Sequence, residues 1–106
     1  MTNNKTAIVI RLEAAEGKEK QAQQFLENSK DIVSEEPGTL SWNVAKLPQR
    51  AFSVLGVFVN DKARQQHLDG EFPKQLKKSL ELFTVHPVIE KADVIVEKVG
   101  EPEHAH

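Results

Sequence analysis

The apolar positions along the chain change period in a readable order. In "TAIVIRLEA" (6–14), β-branched residues dominate and the period is two. One face carries Ile8, Ile10 and Leu12, the other Ala7, Val9 and Arg11. Both are largely apolar, which predicts a strand covered on both sides. In "GKEKQAQQFLENSKDIVSEE" (17–36) the period becomes helical. Ala22, Phe25, Leu26, Ile32 and Val33 form the stripe, and Ser29 completes it. Pro37-Gly38 stops this helix.

Period two returns in "TLSWNVAKL" (39–47) and "AFSVLGVFV" (51–59), joined by Pro48-Gln49-Arg50, a connection of hairpin length. A turn centred on Gln49 sets Leu47 against Ala51 and Trp42 against Gly56. A glycine opposite a tryptophan leaves room for the indole. This register puts Leu40, Trp42, Val44, Phe52, Val54 and Phe58 on one face. The other holds Ala45, Leu47, Leu55, Val57 and Val59, so both are apolar.

Asn60 or Asp61 is a suitable N-cap for a short helix, "KARQQHLD". Gly70 interrupts it, and Pro73 suits the first turn of a second helical piece, "PKQLKKSLELF", striped by Leu76, Leu80 and Phe83. "VIEKADVIVEKV" (88–99) reads as the last strand, and residues 100–106 as a flexible polar tail. The order is therefore βαββαβ, which predicts a ferredoxin-like α+β domain: a four-stranded antiparallel sheet with helices on one face. The core spans 6–99, and 1–106 is one domain. The second sheet face is apolar too, and the chain has nothing left to cover it. A second copy is the expected cover, giving a homodimer.

Composition narrows the functional classes. The chain has 106 residues, a net charge of -2 and no cysteine. The charge balance gives no basic footprint for nucleic acid. No apolar run approaches the roughly 18 residues of a membrane span, and the first residues lack a signal-peptide pattern. Without cysteine there are no disulfides, thiolate nucleophiles or cysteine–zinc sites, and a cytoplasmic setting is expected. "GTLSWN" and "DGEF" do not match a glycine-rich phosphate loop, so no tightly held nucleotide is expected.

"EEPGTLSWNV", followed by "SVLGVFVNDKARQQHLDGEF", resembles the antibiotic biosynthesis monooxygenase domain family, in particular its small quinol-monooxygenase-like branch. The resemblance covers residues 6–99. Its landmarks are Pro37-Gly38, an aromatic late in the third strand, Ala63, His67 and Leu68. It implies a dimeric α+β barrel in which two sheets face each other. Family members include cofactor-free oxygenases of quinols and aromatic polyketides, an isomerase and haem-degrading enzymes, so the fold alone does not fix the reaction. Many members carry Trp where this chain has Phe58. The Asn and His of the haem-degrading branch fall on Ile10 and Leu76, which removes the support for haem. No haem, flavin or metal is expected.

His67 stands on the apolar side of its helix, where a leucine would pack as well. It is either a core histidine with a backbone partner or a proton-transfer group, a role that histidine fills near neutral pH. No second ligand is spaced to make a metal site with it. Trp42 and Phe58 share a face and either pack the core or wall a flat aromatic substrate. Arg11, a charge within a buried-looking strand, either reaches solvent or binds an oxyanion or a carboxylate of the partner chain. Ser41 and Asn43 lie opposite Trp42, at the expected interface. His86, His104 and His106 have little claim.

Two readings follow. One is a cofactor-free monooxygenase in which O2 oxidises a small aromatic or quinol substrate, with His67 as base, Trp42 and Phe58 holding the ring, and Arg11 balancing charge. The other is a non-enzymatic dimer that binds a small apolar ligand, with an isomerase as a third use of the same pocket. Oxygen consumption with a panel of quinols separates them, and the most informative structural observation is whether His67 faces an open, aromatic-lined cavity or closed packing.

Overall fold

A computed structural model describes residues 5–100 of the chain. Strand β1 (Thr6–Glu13), apolar on both faces, takes an interior place in the sheet. It pairs antiparallel with β3 (Ala51–Phe58) on one side and with β4 (Val88–Asp93) on the other. β2 (Thr39–Leu47) flanks β3, which gives the order β2-β3-β1-β4. Helices α1 (Glu19–Val33), α2 (Asp61–Leu68) and α3 (Glu71–Lys78) complete the ferredoxin-like βαββαβ layout, and a single 3-10 turn (Leu80–Leu82) leads towards β4.

The core lies between one sheet face and the helices. Ile8, Ile10, Leu12, Phe52, Val54 and Phe58 from the strands meet Ala22, Leu26, Phe72 and Leu76 from the helices. The hairpin register is the expected one. Leu47 pairs with Ala51 and Trp42 with Gly56, and a bulge at Leu40 shifts the pairing between Thr39 and Ser41. Its turn places Gln49 and Arg50 at φ 59° and 67°, in the left-handed region that glycine normally fills. Two backbone bonds hold it: Ala51 N–H donates to Pro48 O (3.4 Å) and Ala14 N–H to Arg50 O (2.8 Å).

Two boundaries differ from the sequence reading. α3 starts at Glu71, capped by Gly70, so Phe72 is helical and fully buried. Pro73 still falls in the first turn, where its missing N–H costs nothing. The last strand ends at Asp93 rather than at 99. Its partner β1 begins at Thr6, and the pairing Thr6 with Asp93 is the end of the ladder. Beyond it, the Val94 N–H donates to Lys5 O (3.2 Å) and the Lys5 ammonium pairs with Glu97, but no ladder continues. The apolar residues Ile95, Val96 and Val99, which gave the strand pattern, are 81–88% exposed.

The sheet face away from the helices carries Ala7, Val9, Leu55 and Val57. Val9 and Leu55 are exposed at 36% and 42%. Residues 94–99 run beside this face and share with Ala7, Leu55 and Val57 a cleft of about 520 Å³.

Candidate functional site

Local contacts fix α2, the helix that carries His67. The Asn60 side chain accepts from the Ala63 N–H (2.9 Å) and caps its first turn. Arg64 Nη1 reaches across two strands and donates to the carbonyls of Ala7 (3.2 Å) and Ala92 (2.8 Å). On the other side α2 lies against the chain entering β2. A Cβ built on Gly38 would stand 2.4 Å from the Ala63 Cβ. Only glycine permits that approach.

One turn after Ala63, the same helix face delivers His67 into the core, where it is 1% exposed. Three aromatic rings surround it. Trp42 and Phe58 stand at centroid distances of 5.0 and 5.1 Å, tilted, and Phe72 stacks at 6.0 Å. Trp42 is itself held in place. Its Nε1–H donates to Ser29 Oγ (2.9 Å) from the buried stripe of α1, and Phe72 meets it edge-on at 5.1 Å. Gly56 lies directly beneath the indole. A Cβ there would be 2.8 Å from Trp42 Cε3 and Cζ3.

The two imidazole nitrogens have different surroundings. Nδ1 lies 2.8 Å from Glu36 Oε1. A carboxylate only accepts, so Nδ1–H is the donor. The same Oε1 also accepts from the Thr39 hydroxyl (2.7 Å), which anchors the carboxylate. Nε2 is buried and has no hydrogen-bond partner, the sole such side-chain atom among the described residues.

His67, Trp42 and Phe58, expected to share one site, are therefore together. Arg11 is not. It is exposed on the other face of β1, beside Val88, Glu90 and His86 at the rim of a shallow cleft. Strand alternation separates it from its neighbours Ile10 and Leu12, which face the helices. Of the roles open to Arg11, reaching solvent is the one this position fits. Two members of the cluster went unread in the sequence. Phe72 was placed before the second helical piece instead of inside it. Glu36, the last residue of the 17–36 segment, has no role in the sequence reading; its position just before the landmark pair Pro37-Gly38 is the available signal.

The surroundings of His67 are closed packing. The larger clefts open elsewhere. One of them, about 400 Å³, is largely apolar and is lined by Pro73, Leu76 and Leu80 with Pro87 and Ile89. It reaches Leu76, one helical turn along α3 from Phe72. Ile10 and Leu76, the two positions that bear on haem, are both buried in the core. Among the described residues no group of three or more His, Asp or Glu side chains gathers to hold a metal ion, and no helix is long and apolar enough to cross a membrane. His86 lines the apolar cleft, and His104 and His106 lie outside the described residues.

No protein-family model and no curated protein sequence matches the chain. Solved structures do. NE2512, a protein of unknown function from Nitrosomonas europaea, is 30% identical, with 94% of this chain and 98% of that one covered and a TM-score of 0.85. The chain belongs to the same family as NE2512. Two further structures are provisionally named antibiotic biosynthesis monooxygenases. The Nitrosomonas europaea one is 7% identical over 90% of this chain and 94% of its own, with a TM-score of 0.77. The Caulobacter crescentus one is 19% identical over 89% and 92%, with a TM-score of 0.69. At these identities the likeness concerns the fold: the NE2512-type chain has the antibiotic biosynthesis monooxygenase fold.

Proposed function

We propose that this NE2512-type protein is a cofactor-free monooxygenase of a small aromatic or quinol-type substrate, with His67 as its base. One observation carries the proposal: a buried imidazole nitrogen without a partner, enclosed by Trp42, Phe58 and Phe72. Leaving a buried polar atom unsatisfied is costly, and stable cores rarely retain one. Such an atom among flat apolar walls suits a ring that brings its own hydroxyl.

The chemistry balances without a further reactant. His67 Nε2 takes a proton from the quinol, and the anion is electron-rich enough to give one electron to O2. The resulting radical pair joins as a carbon–oxygen bond, and the peroxide anion takes the proton back from His67 to form a hydroperoxide. Loss of water then leaves a carbonyl, so one oxygen atom stays in the product and the other departs in water. The substrate supplies all the electrons. The protein supplies the base, the orientation and a water-poor surrounding. A ring reaches Nε2 only when the packing of Trp42, Phe58 and Phe72 opens.

The chain acts as a homodimer in this reading, joined through the sheet face that carries Val9 and Leu55. Their exposure beside buried Ala7 and Val57 supports this, since a sheet face with apolar neighbours in a row needs a cover. The same unpartnered nitrogen supports a second reading, a dimer that binds a small apolar ligand without turning it over. Oxygen uptake with a panel of quinols separates the two. Uptake expected with the wild type should fall by roughly 100-fold in His67→Leu, in line with loss of a general base. A folded His67→Leu protein that consumes oxygen at the wild-type rate removes His67 from the mechanism.

A further inference from the structure

We infer that Glu36 is the positioning residue of this site, and that it makes the site selective for a ligand that donates a hydrogen bond. The inference rests on the reading of the His67 cluster as a ligand site, but not on its being an oxygenase.

A neutral imidazole has one N–H and one lone pair, and its environment decides which nitrogen carries which. Here Glu36 Oε1 lies 2.8 Å from Nδ1 and can only accept. The proton is therefore on Nδ1, and the lone pair is on Nε2. The carboxylate is not free to turn away. Thr39 Oγ1 donates to the same oxygen at 2.7 Å, and the Thr39 N–H bonds back to the Glu36 carbonyl at 3.2 Å. The Glu36 side chain keeps 21% of its exposure, so the charge stays partly hydrated while it faces the buried ring.

The consequence lies on the other side of the ring. Nε2, without a partner among Trp42, Phe58 and Phe72, is an acceptor aimed into an apolar surrounding. A phenol or hydroquinone satisfies it by donating its hydroxyl. A quinone or an aryl ether presents only acceptors and leaves Nε2 unsatisfied. The site thus distinguishes a reduced, hydroxyl-bearing ring from its oxidised or methylated counterpart by one hydrogen bond. That difference corresponds to about tenfold in affinity. When Nε2 takes up a proton, the ring becomes a cation, and Glu36 is the charge that faces it.

The test reads the tautomer directly. In protein labelled with nitrogen-15 at histidine, the His67 resonances should show Nδ1 protonated and Nε2 unprotonated. Glu36→Leu, which removes the acceptor facing Nδ1, should move the proton to Nε2 in much of the population. The wild-type spectrum alone is decisive if that variant fails to fold: a His67 protonated at Nε2 overturns the inference, as does an unchanged tautomer in a folded Glu36→Leu. Hydroquinone should shift the His67 Nε2 resonance and bind about tenfold more tightly than its dimethyl ether. Equal binding of the two overturns the ligand selectivity. Hydroquinone preference with no oxygen uptake would sink the oxygenase reading and leave this one standing.

Discussion

Gly56→Ala puts the geometry of the site to a quantitative test. The added methyl would stand 2.8 Å from two ring carbons of Trp42 and 3.4 Å from Phe58 Cζ. The indole must retreat by several tenths of an ångström. His67 and Phe72 stand at 5.0 and 5.1 Å and block two directions. The remaining movement lengthens the Nε1–H bond to Ser29. Overpacking of this kind costs about 1–3 kcal/mol, and a weakened hydrogen bond up to about 1 kcal/mol more. Against this, alanine in a strand is about 0.5–1 kcal/mol better than glycine. The net expectation is a loss of about 1–3 kcal/mol. The chain has one Trp and no Tyr, so tryptophan emission followed through a urea titration reports on Trp42 alone. The midpoint should fall with an unchanged slope, and the native emission should move to the red as the indole leaves its slot. Each kcal/mol lost corresponds to about 4–8 °C in melting temperature for a domain of this class. An alanine variant as stable as the wild type, with the same emission, would refute the packing argument.

Three further outcomes are expected. His67→Leu should stay within about 1 kcal/mol of the wild type in urea, because losing the bond to Glu36 is offset by removing the unsatisfied Nε2, while any turnover falls sharply. Leu55→Asp should convert a dimer to a monomer in sedimentation velocity, since it would bury an unpaired charge at the proposed sheet-to-sheet contact; a wild-type chain that sediments as a monomer at micromolar concentration defeats the dimer itself. Arg50→Gly should raise stability by about 0.5–1 kcal/mol, the relief of a left-handed non-glycine residue less the added chain entropy, and an unchanged thermal midpoint would refute it.

The hairpin was legible to the residue, because glycine opposite tryptophan and a turn of hairpin length both fix the register. α1 was legible for a similar reason: its buried stripe, Ser29 included, repeats at one period over its whole length, and Ser29 proves to be the partner of Trp42. The last strand was over-read, since "VIVEKV" has the local pattern of a strand but strand length depends on where the partner ends, here at Thr6. Arg11 stayed open between solvent and site for a neighbouring reason. A strand with two apolar faces does not say which face meets the helices until the register of its neighbours is known. Glu36 and Phe72 lay beyond a pattern argument because each acts through a residue 31 positions away or across a helix break. His67 stood out as a polar residue on an apolar face, but its partners belong to tertiary structure.

The near-contact of Gly38 with Ala63 gives the site a ruler. Pro37-Gly38, Ala63 and His67 look like separate landmarks along the chain, yet in space Gly38 touches the turn of α2 just before the one from which His67 meets Glu36. The two contacts clamp the helix to the strand at adjacent rungs, and the smallness of the first sets the length of the second. The breadth of the aromatic slot is therefore governed from outside its own lining. A larger residue at position 38 or 63 would lift α2 off the sheet, lengthen the His67–Glu36 bond and widen the gap beneath the helix in one movement. The width of the aromatic cluster is then a matter of helix stand-off, and two small residues outside its lining set it before Trp42 or Phe58 does.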